Sequence, residues 1–326
     1  ATSDHPILID QFIENAFEFD VDALCDGKDV FIAGIMQHIE EAGIHSGDSS
    51  CVLPAHKITN KVKKEIIDVT TKLAKALNVI GLINLQFAVK DEIVYVLEVN
   101  PRSSRTVPFV SKYSNISLAN IAAQLSVGKK LKDFKLKNIR HKHVAVKKAV
   151  LPFKKFKNEK VFLGPEMKST GEVMGINDNV GVAFLKAMES DGYTVPKKGT
   201  AFISINKADR REALYAARDL VDIGFDIIAT EGTAQYLSKH GVSCKEIFKV
   251  GEGRPNVVDE ILNDNVQFVI NTPTGAKARY DEESIGRTSV MKNILTITTM
   301  PGARAAIEAI SLSGQVRVKA LQEYFK

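Results

Sequence analysis

Residues 82–109, LINLQFAVKDEIVYVLEVNPRSSRTVPF, hold the side chains best suited to chemistry. Two apolar runs, 82–89 and 93–99, flank the polar Lys90-Asp91-Glu92 and predict a β-hairpin. Folding about Asp91 sets Gln86 opposite Val96 and Asn84 opposite Glu98. Side chains alternate between faces along a strand, so Asn84, Gln86, Glu98 and Asn100 emerge together. One carboxylate and three amides are hard oxygen donors suited to Mg²⁺, which takes few protein ligands and leaves positions for phosphate or water. Arg102 and Arg105 follow at once, and guanidinium groups grip phosphate through paired N–H donors. A solvated sheet face also alternates polar residues, but the adjoining proline and arginines favour a metal and phosphate site.

A second cluster, residues 40–49, reads EEAGIHSGDS. Glycines around a histidine, serines and an aspartate suit a loop that touches a ligand through backbone and side chains. An ordinary surface turn containing His45 fits the same string. Farther along, polar groups recur after apolar runs: Asn206-Lys207 with Asp209-Arg210, then ATEGT at 229–233, Lys249 with GEGR at 251–254, and NTPTG at 271–275. Lysines, threonines and an asparagine in such positions describe a phosphate or nucleotide site.

The elements that must position these groups fall into two styles. Residues 18–23 alternate charged with apolar side chains and predict a half-buried strand. Asp26-Gly27-Lys28 is a turn into a second strand at 30–35. Val62, Ile66, Val69, Leu73 and Leu77 recur at helical spacing over 61–77, and 115–127 predicts another helix. The basic stretch running to Lys160 is less regular. Beyond residue 198, short strands at 202–205, 225–230, 245–250, 268–272 and 294–299 alternate with helices, one of them opened by Asp209 and closed by Gly224. This alternation predicts a parallel, Rossmann-like sheet, and all four polar clusters then converge on the crevice outside its strand ends. The boundary is placed at 193–198, giving domains 1–193 and 194–326.

At 326 residues, 44% of them hydrophobic and 25% charged, the chain has the length and apolar content for two cored domains. The net charge of +5 is concentrated between Lys129 and Lys160 without the aromatic pattern of a nucleic-acid surface. Anionic small molecules account for it equally well. Cys25, Cys51 and Cys244 are far apart, which argues against disulfides and for a reducing compartment. With no apolar run near the length of a membrane span and no signal-like start, a cytoplasmic location without membrane partners is expected. The chain enters a strand-like run, Ile7-Leu8-Ile9, almost at once, as a piece of a longer polypeptide does.

In this order, EFDVDALCDG (18–27), GIMQHIEEAGIHSGDSS (34–50), LINLQFAV (82–89), LEVNPRSSRTVPFVSK (97–112) and LGPEMKSTGEVMG (163–175) closely resemble the second synthetase half of carbamoyl-phosphate synthetase large chains. The resemblance implies the C-terminal part of an ATP-grasp fold, α/β and α+β in class. It implies ATP- and Mg²⁺- (or Mn²⁺-) dependent phosphorylation of carbamate to carbamoyl phosphate, for pyrimidine and arginine synthesis. By the same resemblance Gln86, Glu98 and Asn100 are the metal ligands, with Gln86 and Glu98 also facing the nucleotide. Gln11, Ile13, Glu18, Gly43, Ile44, His45 and Ser46 contact the nucleotide, and Arg102 and Arg105 steady the transferring phosphoryl group. The expected partners are a glutamine amidotransferase small subunit and an N-terminal synthetase half. The glycine-rich phosphate loop that closes ATP-grasp sites is not found upstream, so the piece alone is expected to be inactive.

The strings IATEGTAQYL (228–237) and INTPTG (270–275) resemble the methylglyoxal-synthase-like fold, the allosteric domain of the synthetases. The implied ligand is a nucleotide effector held by Arg210, Thr230, Thr233, Lys249 and Asn271. Lyases of this fold carry an Asp-Pro pair after the fourth strand; Thr272-Pro273 here lacks the carboxylate base, which favours a sensor over a catalyst. Lys147-Lys148 stands where ornithine-activated relatives carry an acidic residue, which speaks against a cationic effector. Two alternatives stay open: another ATP-grasp ligase with a fused regulatory domain, and a non-catalytic nucleotide-binding module.

Overall fold

The computed structural model describes residues 13, 16–40, 42–137, 141–154, 163–272 and 276–325. Its first part contains β1 (Phe17–Asp26), β2 (Val30–His38), β3 (Cys51–Leu53), α1 (Asn60–Ala76), β4 (Ile80–Lys90), β5 (Ile93–Asn100), α2 (Val107–Ser114), α3 (Leu118–Ser126), β6 (Val144–Val150), β7 (Gly171–Asn177) and α4 (Val180–Ser190). The strands form one antiparallel sheet in the order β5-β4-β1-β2-β3-β6-β7. α1 begins where the Thr59 hydroxyl accepts the Val62 N–H, and it buries Val62, Ile66, Thr70 and Ala74 at four-residue spacing.

Several sequence-based expectations change here. β1 lies between β2 and β4, and both its faces are covered. Glu18, Asp20 and Asp22 are therefore buried, although their alternation reads as a solvated face. The helix expected at 115–127 is α3, shorter at its start because Asn115, in the left-handed region at φ 56°, caps the preceding α2 and α3 begins only at Leu118. The irregular basic stretch contains the regular strand β6, whose Lys147 is 1% exposed.

The remaining elements alternate as the sequence predicts. They are β8 (Gly199–Ile205), α5 (Arg210–Ile223), β9 (Phe225–Thr230), α6 (Glu231–Lys239), β10 (Lys245–Ile247), α7 (Val257–Leu262), β11 (Phe268–Thr272), α8 (Ala276–Lys292), β12 (Leu295–Ile297) and α9 (Met300–Ser311). The sheet is parallel throughout, in the order β10-β9-β8-β11-β12. β10 and β12 are shorter than the expected 245–250 and 294–299. α5 follows Asp209 and ends at Gly224, whose φ of 104° suits a residue without Cβ.

The two sheets meet through α4, which lies on β6 and β7 and packs against α9. α4 comes so close to β7 that a Cβ at Gly175 would stand 1.8 Å from the Ala183 carbonyl oxygen. Val52 and Val146 of the first sheet, Ala183, Phe184, Leu185, Ala187 and Met188 of α4, and Ala201 and Phe268 of the second sheet belong to one continuous apolar core. Among the described residues, no helix is long and apolar enough to cross a membrane.

Candidate functional site

The β4–β5 hairpin exists, but its register is not the one expected. Asp91 and Glu92 both take positive φ, 50° and 62°, so the turn has two residues and Lys90 pairs with Ile93. This register runs to Phe87 opposite Val96. A β-bulge then leaves Leu97 as an extra residue, and Gln86 pairs with Glu98 and Asn84 with Asn100. The bulge decides the face. Without it Glu98 would stand opposite Leu85, which points into the core, and the carboxylate would be lost to solvent and metal alike. Each partner has moved by two positions from the expected pairing, so the shared face survives.

Gln86 donates through Nε2 to the Ser46 hydroxyl at 2.9 Å, which leaves its amide oxygen for a cation. Asn100 Oδ1 accepts from Arg102 Nη2 at 3.0 Å. Glu98 is exposed on β5. Asn84 behaves differently from its three neighbours, turning its amide to the buried Asp22 at 3.0 Å.

The loop after β2 is held from several sides. Gly43 N–H donates to Glu18 Oε1 at 3.2 Å, and Gly47 N–H donates to His45 Nδ1 at 3.0 Å. The Ser46 carbonyl accepts from the buried ammonium of Lys147 at 3.3 Å. Asp48 is engaged by the backbone N–H groups of Lys168 and Ser169, at 2.8 Å each in their shorter contacts. The His45 N–H reaches the Gly164 carbonyl. Glu18, Gly43, His45, Ser46, Gln86, Glu98 and Asn100 thus share one region, with Ile44 in the same loop. Ile13 is half-buried before β1, and Gln11 lies outside the described residues.

The arginine segment is anchored by a residue that sequence reasoning did not single out. Asp22 accepts from the Thr106 hydroxyl at 2.5 Å, the Ser104 hydroxyl at 2.8 Å and Asn84. Burial pushes its carboxyl up to about 6, although the bonds from Thr106, Ser104 and Asn84 favour the charged form. Arg105 sits between these anchors, donating to the Ser169 carbonyl at 3.2 Å and hydroxyl at 3.0 Å, with Glu172 at 3.8 Å.

In the parallel sheet, Arg210, Thr230, Thr233 and Asn271 gather at the carboxyl ends of β8, β9 and β11. Thr230 Oγ1 is 3.4 Å from Ser204 Oγ, Thr233 Oγ1 accepts the Ile205 N–H at 3.3 Å, and Asn271 pairs with Ser204 across the strands. Arg210 donates to the Gly232 carbonyl at 3.4 Å over the Tyr236 ring, and its buried Nε makes no hydrogen bond. Lys249 stands apart, exposed and 3.9 Å from Glu252. Thr272 closes β11; Pro273, Thr274 and Gly275 lie outside the described residues. Between the two sheets, Lys148 is paired with Asp191 and lies 5.1 Å from the Tyr193 ring centre. The nearby Glu40 accepts the Ser50 N–H, and burial raises its carboxyl above the ordinary value.

Comparison with known proteins adds the following. Residues 1–134 match the family described as carbamoyl-phosphate synthase L chain, ATP binding domain, and residues 212–298 match the MGS-like domain. Over 319 residues the chain is 53% identical to the carbamoyl phosphate synthase large chain of Acidobacterium capsulatum, covering 96% of this chain and 29% of that one. Over 323 residues it is 53% identical to the Archaeoglobus fulgidus large chain, covering 98% and 30%. The Rhizobium meliloti large chain is 49% identical over 330 residues, covering 99% and 28%. The chain therefore spans about three tenths of the length of the curated relatives it matches.

Proposed function

We propose, for a chain that belongs to the carbamoyl phosphate synthase large-chain family and matches its C-terminal portion, that residues 1–193 are the back of an ATP-dependent phosphorylation site and residues 194–326 an effector-binding domain. The observation that carries the reading is the bulged hairpin, which turns Gln86, Glu98 and Asn100 to one face and ties Gln86 to Ser46.

That donor set fits magnesium or manganese: a carboxylate and two amide oxygens, hard donors with room for phosphate. When bound, the metal offsets the negative charge of the phosphates. The remaining steps belong to the chain's own residues. Glu18, Gly43, Ile44, His45 and Ser46 hold and orient the nucleotide, and Gln11 and Ile13 are assigned to the same nucleotide. A carbamate oxygen attacks the γ-phosphorus in line, forming one P–O bond as the β,γ-bridging P–O bond breaks, and ADP leaves. Arg102 and Arg105 stabilise the charge on the transferring group. The substrate, the ligase activity and its place in pyrimidine and arginine synthesis belong to the whole large chain. So do a glutamine amidotransferase supplying ammonia and an N-terminal half supplying carbamate. The piece by itself is inactive in this reading because half of the nucleotide clamp lies upstream.

Arg210, Thr230, Thr233, Lys249 and Asn271 would hold a phosphorylated nucleotide effector. The Lys148–Asp191 pair places a fixed ammonium between the sheets, so a cationic effector is disfavoured there. The test of the catalytic reading is ATP formation from MgADP and carbamoyl phosphate by the complete large chain. Glu98→Gln should lower it about 100-fold or more while leaving stability unchanged, because the carboxylate is exposed. Near-normal activity in that variant refutes the metal assignment.

A further inference from the structure

Beyond α9 the chain returns to the first sheet. Residues 316–320 have no regular structure, and a short 3-10 turn, Leu321–Phe325, then docks beside β6 and β7. Tyr324 donates its hydroxyl to the Ile176 carbonyl near the end of β7 at 3.0 Å and accepts from Lys186 Nζ of α4 at 3.3 Å. The rings of Tyr324 and Phe325 stand edge-on to His143, with centroids 5.5 and 5.3 Å away. Phe325 also meets the His141 ring at 5.6 Å. Edge-on pairs at these separations attract beyond the area they bury.

His143 links this turn to α2. It stands immediately before β6, which β3 and β7 hold from either side. Its buried ring lies 5.0 Å from the Tyr113 ring, and its Nε2 is 3.1 Å from the Tyr113 carbonyl oxygen. A carbonyl oxygen only accepts, so Nε2 carries the proton. Tyr113 lies in the last turn of α2, where carbonyls have no partner within the helix, and His143 supplies the donor that this buried end needs. The eight residues of α2 make it about 12 Å long. At its other end Thr106 is bound to Asp22, with Arg105 just before it. A rod held at one end can swing; held at both, it fixes the direction in which Arg105 leaves.

We propose that Tyr324 and Phe325 are positioning residues for the phosphorylation site, contributed by the part of the chain that carries the parallel sheet. They hold the His143 ring against the end of α2 and so set Arg105 at its beginning, a role that rests on the reading of Arg105 given above. The turn is suited to a reversible hold. None of its residues is buried, and Arg317, Val318, Lys319 and Ala320 before it are exposed. It is thus a small local unit that opens at low cost. The helix it follows, α9, packs on both α4 and α5, so the hold on α2 is continuous with the packing of the parallel sheet.

The test uses the complete large chain, read by ATP formation from MgADP and carbamoyl phosphate. Phe325→Ala should lower kcat about tenfold and Tyr324→Phe about threefold, with KM for MgADP within about twofold of the wild type, because Arg105 acts on the transferring group. Phe325→Tyr, which keeps the ring, should keep the wild-type rate. Val318→Ala, at a side chain 93% exposed, should change nothing. Amide exchange across residues 107–114 should quicken in Phe325→Ala and stay at the wild-type rate in Phe325→Tyr. Unchanged kcat, a loss that Phe325→Tyr shares, or undisturbed exchange in α2 overturns the proposal. Tyr324→Phe removes one oxygen from a half-buried ring, so the rate test stands even if Phe325→Ala does not fold. A wild-type chain that forms no ATP refutes the phosphorylation reading instead, and the exchange measurement then still decides whether the turn holds α2.

Discussion

Asp22 is a carboxylate for which burial and hydrogen bonding act in opposite directions. Its three side-chain donors fix Ser104 and Thr106 on either side of Arg105, so one buried acid sets where the arginine segment leaves the sheet. Because its carboxyl is raised from 3.8 to about 6, the folded chain binds a proton more readily than the unfolded one. Its contribution to stability is fully present below pH 3.8 and is lost as pH rises through about 6. Asp22→Asn should therefore flatten the fall in stability between those limits, by a difference on the order of 1–3 kcal/mol in denaturant titrations. An unchanged pH profile counts against the assignment. The composition gave no warning of this role, since an aspartate within EFDVD alternates like any residue on a wet strand. That Glu98 and Gln86 share a face was legible from the alternation of their string; the buried ammonium of Lys147 was hidden inside a run of surface-like lysines.

Among elements, the hairpin separates what periodicity can show from what it cannot. Two strands and a shared polar face follow from the alternation of residues. The pairing does not, because a two-residue turn and a bulge each shift the count by one, and neither has a strong sequence mark beyond Asp91-Glu92. The bulge makes an asymmetric prediction. Deleting Leu97 converts it to a regular ladder that still sets Gln86 against Glu98, so carbamoyl-phosphate-dependent ATP formation by the complete chain should stay within about tenfold. Inserting an alanine after Leu97 turns Glu98 toward the core face, and the same activity should fall about 100-fold or more with the hairpin retained. Equal activities in the two variants contradict this account. Elsewhere the long amphipathic helix α1 and the strand–helix alternation after residue 198 were readable from spacing. β3 escaped because three residues carry no period, and β6 because a lysine occupies an inward position.

For the molecule as a whole, the arrangement puts the candidate effector residues and the hairpin on different sheets. Thr230→Ala removes a hydroxyl at the end of β9 without touching the β4–β5 hairpin. In the complete large chain it should leave basal turnover unchanged and weaken the response to a nucleotide effector about tenfold or more, read as the shift in half-saturating effector concentration. Loss of basal turnover in a folded Thr230→Ala chain argues against a sensing role. The core beneath this arrangement has a thermodynamic consequence. Val52 and Val146, the α4 side chains, and Ala201 with Phe268 share a single apolar interior, so neither sheet can open without exposing part of the other's packing. Amide protons in β3 and β6 then exchange with solvent at rates governed by the stability of both sheets. A ligand seated only at the ends of β8 and β9 slows that exchange by its own free energy of binding.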